Sequence, residues 1–179
     1  MTSLAAGDAA PDFDLPADPG GSISLRALRG SKVVLYFYPR DDSGSCITEA
    51  AAFNDRRVQF IEAGAQIIGI SPDSVISHAK FKRKRELVLT LASDESRTVL
   101  EAYGVWKEKS LYGRRYIGLE RTTLLIDAGG VIAHIWRKVR VVGHVEQVLA
   151  AARALPANPS QPPSPGDATR LRRINPNRV

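Results

Sequence analysis

The chain has 179 residues, of which 44% are hydrophobic and 25% charged, an ordinary globular composition for one domain with a tail. The formal net charge is +6, and a single cysteine excludes a disulfide-stapled secreted scaffold and fits a reducing compartment. Residues 1–8 lack the basic and apolar regions of a signal peptide, and no apolar run approaches the length of a bilayer span, so a cytoplasmic protein without membrane attachment is expected.

In chain order, residues 11–16 and 20–25 read as a short N-terminal β-hairpin joined by a glycine turn. Residues 25–28, ending at Gly30, read as a helical turn with a glycine stop. The continuously apolar run 33–38 predicts a central strand buried on both faces. Residues 46–63 carry Ala50, Phe53, Val58 and Ile61 at helical spacing, and Gly64 stops them. Residues 66–71 predict a second buried strand, and Ser71-Pro72-Asp73-Ser74 then starts a helix that runs through Arg85. A short strand is expected at 87–91 and a helix at 97–103, followed by an irregular, polar and aromatic segment at 104–118. Residues 121–127 and 131–136 form a hairpin around Ala128-Gly129-Gly130, and 143–154 is a closing helix.

Strand–helix–strand units followed by a hairpin and a helix predict an α/β fold: a mixed central sheet flanked by helices over residues 1–155. From Pro156 onward lie six of the eleven prolines and few large apolar side chains, the composition of a disordered tail over 156–179. In that tail Arg170, Arg172, Arg173 and Arg178 against Asp167 carry half of the net charge. A second basic run is Lys80, Lys82, Arg83, Lys84 and Arg85. Neither has aromatic interleaving or a recognition motif, so a solvated face and a basic tail are expected rather than a nucleic-acid site.

Cys46 carries the chemistry. An apolar strand ends at Pro39, a short loop containing Gly44 follows, and Cys46 opens a helix. Backbone N–H groups at a helix start lack intrahelical partners and the dipole is positive there, so a thiolate is favoured. An ordinary thiol has a pKa of about 8.5 and is ~3% ionised at pH 7, and a helix start plus a nearby cation lowers that pKa. Ser43, three residues before Cys46, brings a hydroxyl within reach of a group bound above the sulfur, and Pro39 shapes and shields the loop. A lone cysteine without such neighbours is most often a small buried hydrophobe. His78, His134 and His144 are scattered without ligand spacing and read as helix-surface, strand and cap residues, so no metal or cofactor is expected. Nothing local pairs Cys46 with His134 or His144 as a hydrolase, and Trp106 and Trp136 read as packing residues.

Pro39-x-x-x-Ser43-x-x-Cys46 resembles the peroxidatic motif of peroxiredoxins in its serine form. Tyr36-Phe37-Tyr38-Pro39, Thr48-Glu49-Ala50, Gly69-Ile70-Ser71, Gly104-Val105-Trp106 and the run from Arg121 to Asp127 resemble the bacterioferritin comigratory protein, or peroxiredoxin Q, branch over residues 7–155. The resemblance implies a thioredoxin-like fold and reduction of hydrogen peroxide or organic hydroperoxides. It implies that Cys46 is the peroxidatic thiolate, that Ser43 hydrogen-bonds the peroxide, that Arg121 stabilises thiolate and peroxide, and that Pro39 shields the site. Glu49 would help to orient Arg121. The chain departs from the family in its loop, Ser43-Gly44-Ser45-Cys46 in place of Thr-Pro-Gly-Cys. It also has Ala51 where many members carry a resolving cysteine, and none on the following helix. A one-cysteine mechanism is therefore expected, with the sulfenic acid resolved by thioredoxin, glutaredoxin, a small thiol or a second copy in a monomer or weak dimer. The competing reading is a redox-responsive binding protein whose basic tail contacts a polyanion.

Overall fold

Residues 33–38 are apolar throughout because both faces of their strand are covered. In the computed structural model, which describes residues 3–156, every residue of β3 (Lys32–Phe37) is buried. Side chains alternate across a strand. Val33, Leu35 and Phe37 therefore join the apolar cluster on one face, while Val34 and Tyr36 join that on the other.

The strands β1 (Asp14–Asp18), β2 (Ser22–Ser24), β4 (Ala65–Ser71), β5 (Thr90–Ser93), β8 (Thr122–Ile126) and β9 (Ile132–Trp136) complete a seven-stranded sheet with β3. The order is β2-β1-β5-β4-β3-β8-β9. The β3–β4 and β4–β5 pairs are parallel, whereas β3–β8, β8–β9, β1–β5 and β1–β2 are antiparallel. The mixed sheet and the N-terminal hairpin are as the sequence predicts. The second cluster holds Cys46 together with Phe53, Phe60, Phe81, Val148 and Leu149, side chains of α1 (Gly44–Asp55), α2 (Arg57–Glu62), α3 (Val75–Arg85) and α5 (His144–Ala154). The opposite cluster includes Val99, Leu100 and Tyr103 at α4 (Thr98–Ala102).

Four expectations need correction. The helix expected over 46–63 is two helices, broken at Arg56 with φ −99° and ψ 3°. Outside contacts coincide with the break: Asn54 Oδ1 accepts the Val88 N–H at 2.8 Å, and Arg56 pairs with Glu146 at 3.0 Å. The apolar spacing continues through the break, so the sequence hides it. The strand expected at 87–91 begins at Thr90, where pairing with Ile68 starts. Leu87, Leu89 and Leu91 alternate into one cluster and extend the strand-like pattern beyond the ladder.

The third correction concerns 104–118, which is not irregular. It contains a second sheet, β6 (Trp106–Leu111) paired antiparallel with β7 (Arg114–Leu119). Both residues of its turn, Tyr112 and Gly113, have positive φ, 51° and 77°, as a type I′ turn requires. Asn or Asp usually holds the first of these positions, and most of the ribbon is exposed, so neither turn chemistry nor alternation marks it.

The fourth concerns a histidine. His78 is not on the helix surface but has no solvent exposure. The tail expected over 156–179 lies, from residue 157, outside the described residues.

Candidate active site

The carboxyl end of β3 delivers the chain into residues 38–43, and α1 starts at Gly44. Ser43 is its N-cap, with extended φ −100° and ψ 151°. The first backbone bond of the helix runs from the Ile47 N–H to the Ser43 carbonyl at 2.9 Å. Cys46 therefore lies in the first turn, where N–H groups lack helical partners. Its exposure is 1%.

Arg121 immediately precedes β8, which pairs beside β3. One guanidinium nitrogen, Nη2, donates to Cys46 Sγ at 3.2 Å, and the other, Nη1, donates to Glu49 Oε1 at 2.7 Å. Cys46 and Glu49 are three apart on a helix and so share a face. The structure thus brings together Cys46, Glu49 and Arg121. Glu49 is wholly buried and its Oε2 has no partner among the described residues. Burial pushes its carboxyl up to about 7, with Arg121 pulling the other way. Burial works against the charge of Arg121, but Glu49 and Cys46 outweigh it and its pKa is raised. Beside this group, His144 Nε2 lies 2.8 Å from Thr123 Oγ1. Burial first, and Arg121 second, push His144 down to about 4.

Ser43 precedes α1 as its N-cap, but its hydroxyl donates to the Arg40 carbonyl at 3.1 Å and accepts from no N–H of α1. Pro39 follows β3 and is exposed. Ala51 is half-buried on α1.

Sequence reasoning missed what anchors the loop ahead of Cys46. Asp41 is buried and accepts from the Tyr38 hydroxyl at 2.6 Å and the Ser77 hydroxyl at 2.8 Å. His78 Nδ1 lies 2.7 Å from the same carboxylate, and Nε2 donates to the Ala92 carbonyl at 3.0 Å. The Asp41 N–H donates to Asp73 Oδ2 at 2.8 Å. The next residue, Asp42, has φ 56° and pairs with Lys84 at 2.6 Å and Arg85 at 2.9 Å. Part of the basic run on α3 is thereby paired with an acid of the same chain. The one available signal was two adjacent aspartates in the loop facing a basic helix.

Among the described residues no group of three or more His, Cys, Asp or Glu is placed to hold a metal, and no helix is long and apolar enough to cross a membrane.

The sequence matches the AhpC/TSA family over residues 6–135. It is 45% identical over 143 residues to peroxiredoxin Bcp of Bacillus subtilis (strain 168), covering 80% of this chain and 91% of that protein. Identity to peroxiredoxin Bcp of Escherichia coli (strain K12) is 38% over 149 residues, covering 83% and 96%. A structure of Xanthomonas campestris peroxiredoxin Q superposes with a TM-score of 0.76 at 42% identity, covering 79% of this chain and 90% of that one. A cysteine-to-serine mutant of Xylella fastidiosa PrxQ superposes with a TM-score of 0.81 at 34% identity, covering 86% and 98%. The fold is thus the thioredoxin-like α/β fold of peroxiredoxin Q structures. Family match, identity along most of the chain and shared fold agree: the protein belongs to the AhpC/TSA family, as a peroxiredoxin of the Bcp, or peroxiredoxin Q, type.

Proposed function

We propose that this thiol peroxidase works through Cys46 alone and reduces hydrogen peroxide and organic hydroperoxides. The observation that carries the reading is the Arg121 guanidinium shared between Cys46 Sγ and Glu49. The Cys46 thiolate attacks one peroxide oxygen and the O–O bond breaks. Cys46 becomes a sulfenic acid, and the departing oxygen takes a proton and leaves as water or alcohol. Negative charge builds on that oxygen in the transition state, where a fixed guanidinium and free helix N–H groups are worth most. Ser43, with its hydroxyl at the loop, hydrogen-bonds the bound peroxide; Pro39 shapes the approach. Glu49 is a positioning residue that holds Arg121 in its two-sided pose.

The wider substrate range is supported by a related Xanthomonas campestris bacterioferritin comigratory protein, described for its alkyl peroxide reduction activity. With one cysteine in the chain, the sulfenic acid is returned to thiol by an external reductant: thioredoxin, glutaredoxin or a small thiol. The protein acts in the cytoplasm as a monomer or weak dimer. Steady-state hydroperoxide consumption with those three reductants tests the reading. Turnover with at least one, and none in Cys46→Ser, is expected. Turnover that survives in Cys46→Ser contradicts it.

A further inference from the structure

Beyond β9 the chain runs through residues 137–143 before α5 begins. This loop walls an open cavity of about 440 Å³, lined among others by Arg137, Lys138, Arg140, Val139, Val142 and His144. Among the described residues no acidic side chain lines it. Lys138 and Arg140 are exposed, and among the described residues neither they nor Arg137 has an ion-pair partner. Arg137 is half-buried and its Nη2 donates to the Leu4 carbonyl at 2.9 Å, which fixes that guanidinium in the wall. Glu146, the acid nearest in sequence, is turned to Arg56 at 3.0 Å.

The loop that walls the cavity is tied to the peroxidatic arginine by a backbone hydrogen bond. The Val139 N–H donates to the Arg121 carbonyl at 3.0 Å, and the same arginine reaches Cys46 Sγ at 3.2 Å. Arg121 thus meets the loop with its backbone and the sulfur with its side chain. On the other wall, His144 hydrogen-bonds Thr123, two residues after Arg121.

A concave site of this size takes a small molecule, not a flat protein face. Three cations without a balancing acid select an anion, and guanidinium groups match carboxylates in shape. A hydroperoxide needs no such charge to react. The second reactant comes from outside, because a chain with one cysteine has no other thiol to supply electrons. We propose that this cavity binds the carboxylates of a low-molecular-weight thiol that regenerates Cys46, an inference that rests on the peroxidase reading above. The bound thiolate attacks the sulfenic sulfur; an S–S bond forms, the S–O bond breaks, and hydroxide leaves as water on taking a proton. A second equivalent of the thiol attacks the outer sulfur of the mixed disulfide. Cys46 leaves as thiolate and the two reductant molecules leave as their disulfide.

The test begins with the full chain oxidised by one equivalent of hydrogen peroxide, with oxygen on Cys46 verified by mass spectrometry. Loss of that oxygen is then timed with mercaptosuccinate, 2-mercaptoethanol and cysteamine, each rate expressed per thiolate. In the wild-type protein the dianionic thiol is expected to react about tenfold or more faster than the cationic one, a factor equal to about 1.4 kcal/mol. In the Lys138→Gln/Arg140→Gln variant the ratio falls to about 1 while the rate of oxidation by hydrogen peroxide is unchanged. Both side chains are exposed, and an unchanged peroxide rate shows that the variant is folded. Equal charge preference in the two proteins overturns the proposal. So does faster reduction of wild type by the neutral thiol, or no reduction by any of the three. If peroxide places no oxygen on Cys46, the peroxidase reading itself fails before the thiols are added, and the proposal falls with it.

Discussion

Glu49 Oε1 and Arg121 Nη1 meet at 2.7 Å, and Glu49 has no solvent exposure at all. Its second oxygen is left without a partner among the described residues, so the ion pair offsets only part of the cost of burial. With its pKa pushed up from 4.5 to about 7, the native state binds a proton that the unfolded chain releases. The group therefore adds stability below about pH 4.5 and loses it as pH rises through about 7. Relative to Glu49→Gln, the wild-type protein is expected to lose about 3 kcal/mol across that window. Urea unfolding of both proteins across it checks this; parallel stability curves contradict it.

His144 titrates with the opposite sign. Its pKa is pushed down from 6.5 to about 4 by burial and by Arg121. The native state then holds the neutral ring, and its contribution to stability is present above pH 6.5 and lost as pH falls toward 4. His144→Gln is expected to remove this acid-side loss while keeping a side-chain partner for Thr123. Unfolding of wild type and variant over the same pH range checks it.

Arg121→Gln is expected to slow oxidation of Cys46 by hydrogen peroxide about 10²–10³-fold, the usual cost of removing one donor from a developing oxyanion. The rate constant is read by rapid quenching and mass spectrometry. A change of less than about threefold would place the guanidinium outside the reaction.

The two aspartates of the loop differ in worth. Asp41→Ala leaves Tyr38, Ser77 and His78 without their shared acceptor inside the protein, and about 3–5 kcal/mol of stability is expected to go. Asp42→Ala breaks ion pairs whose lysine and arginine are 60% and 37% exposed, and a loss within about 1 kcal/mol is expected. Urea denaturation of both variants checks the difference.

The order of strands and helices was legible because the core strands are apolar on both faces and the helices carry apolar side chains at helical spacing. The place of Cys46 at a helix start was legible from the residues around it, and Arg121 was set beside it by the resemblance. The ribbon at Tyr112-Gly113 was not, since it is exposed on most positions and turns on an uncommon residue. Nor was the burial of His78. Its partner Asp41 lies 37 positions away, and a basic helix face gives no sign of a single buried residue within it. Glu49 was placed beside Arg121 by the resemblance alone; its depth follows from the packing of α1 on the sheet.

The most direct measurement is the mass of the protein after one equivalent of hydroperoxide, taken with the yield of alcohol. One oxygen atom on Cys46, one equivalent of alcohol, and return to the starting mass on adding thiol are predicted. Unmodified Cys46 with the hydroperoxide consumed, or equal consumption by Cys46→Ser, would contradict the assignment of the chemistry to this residue.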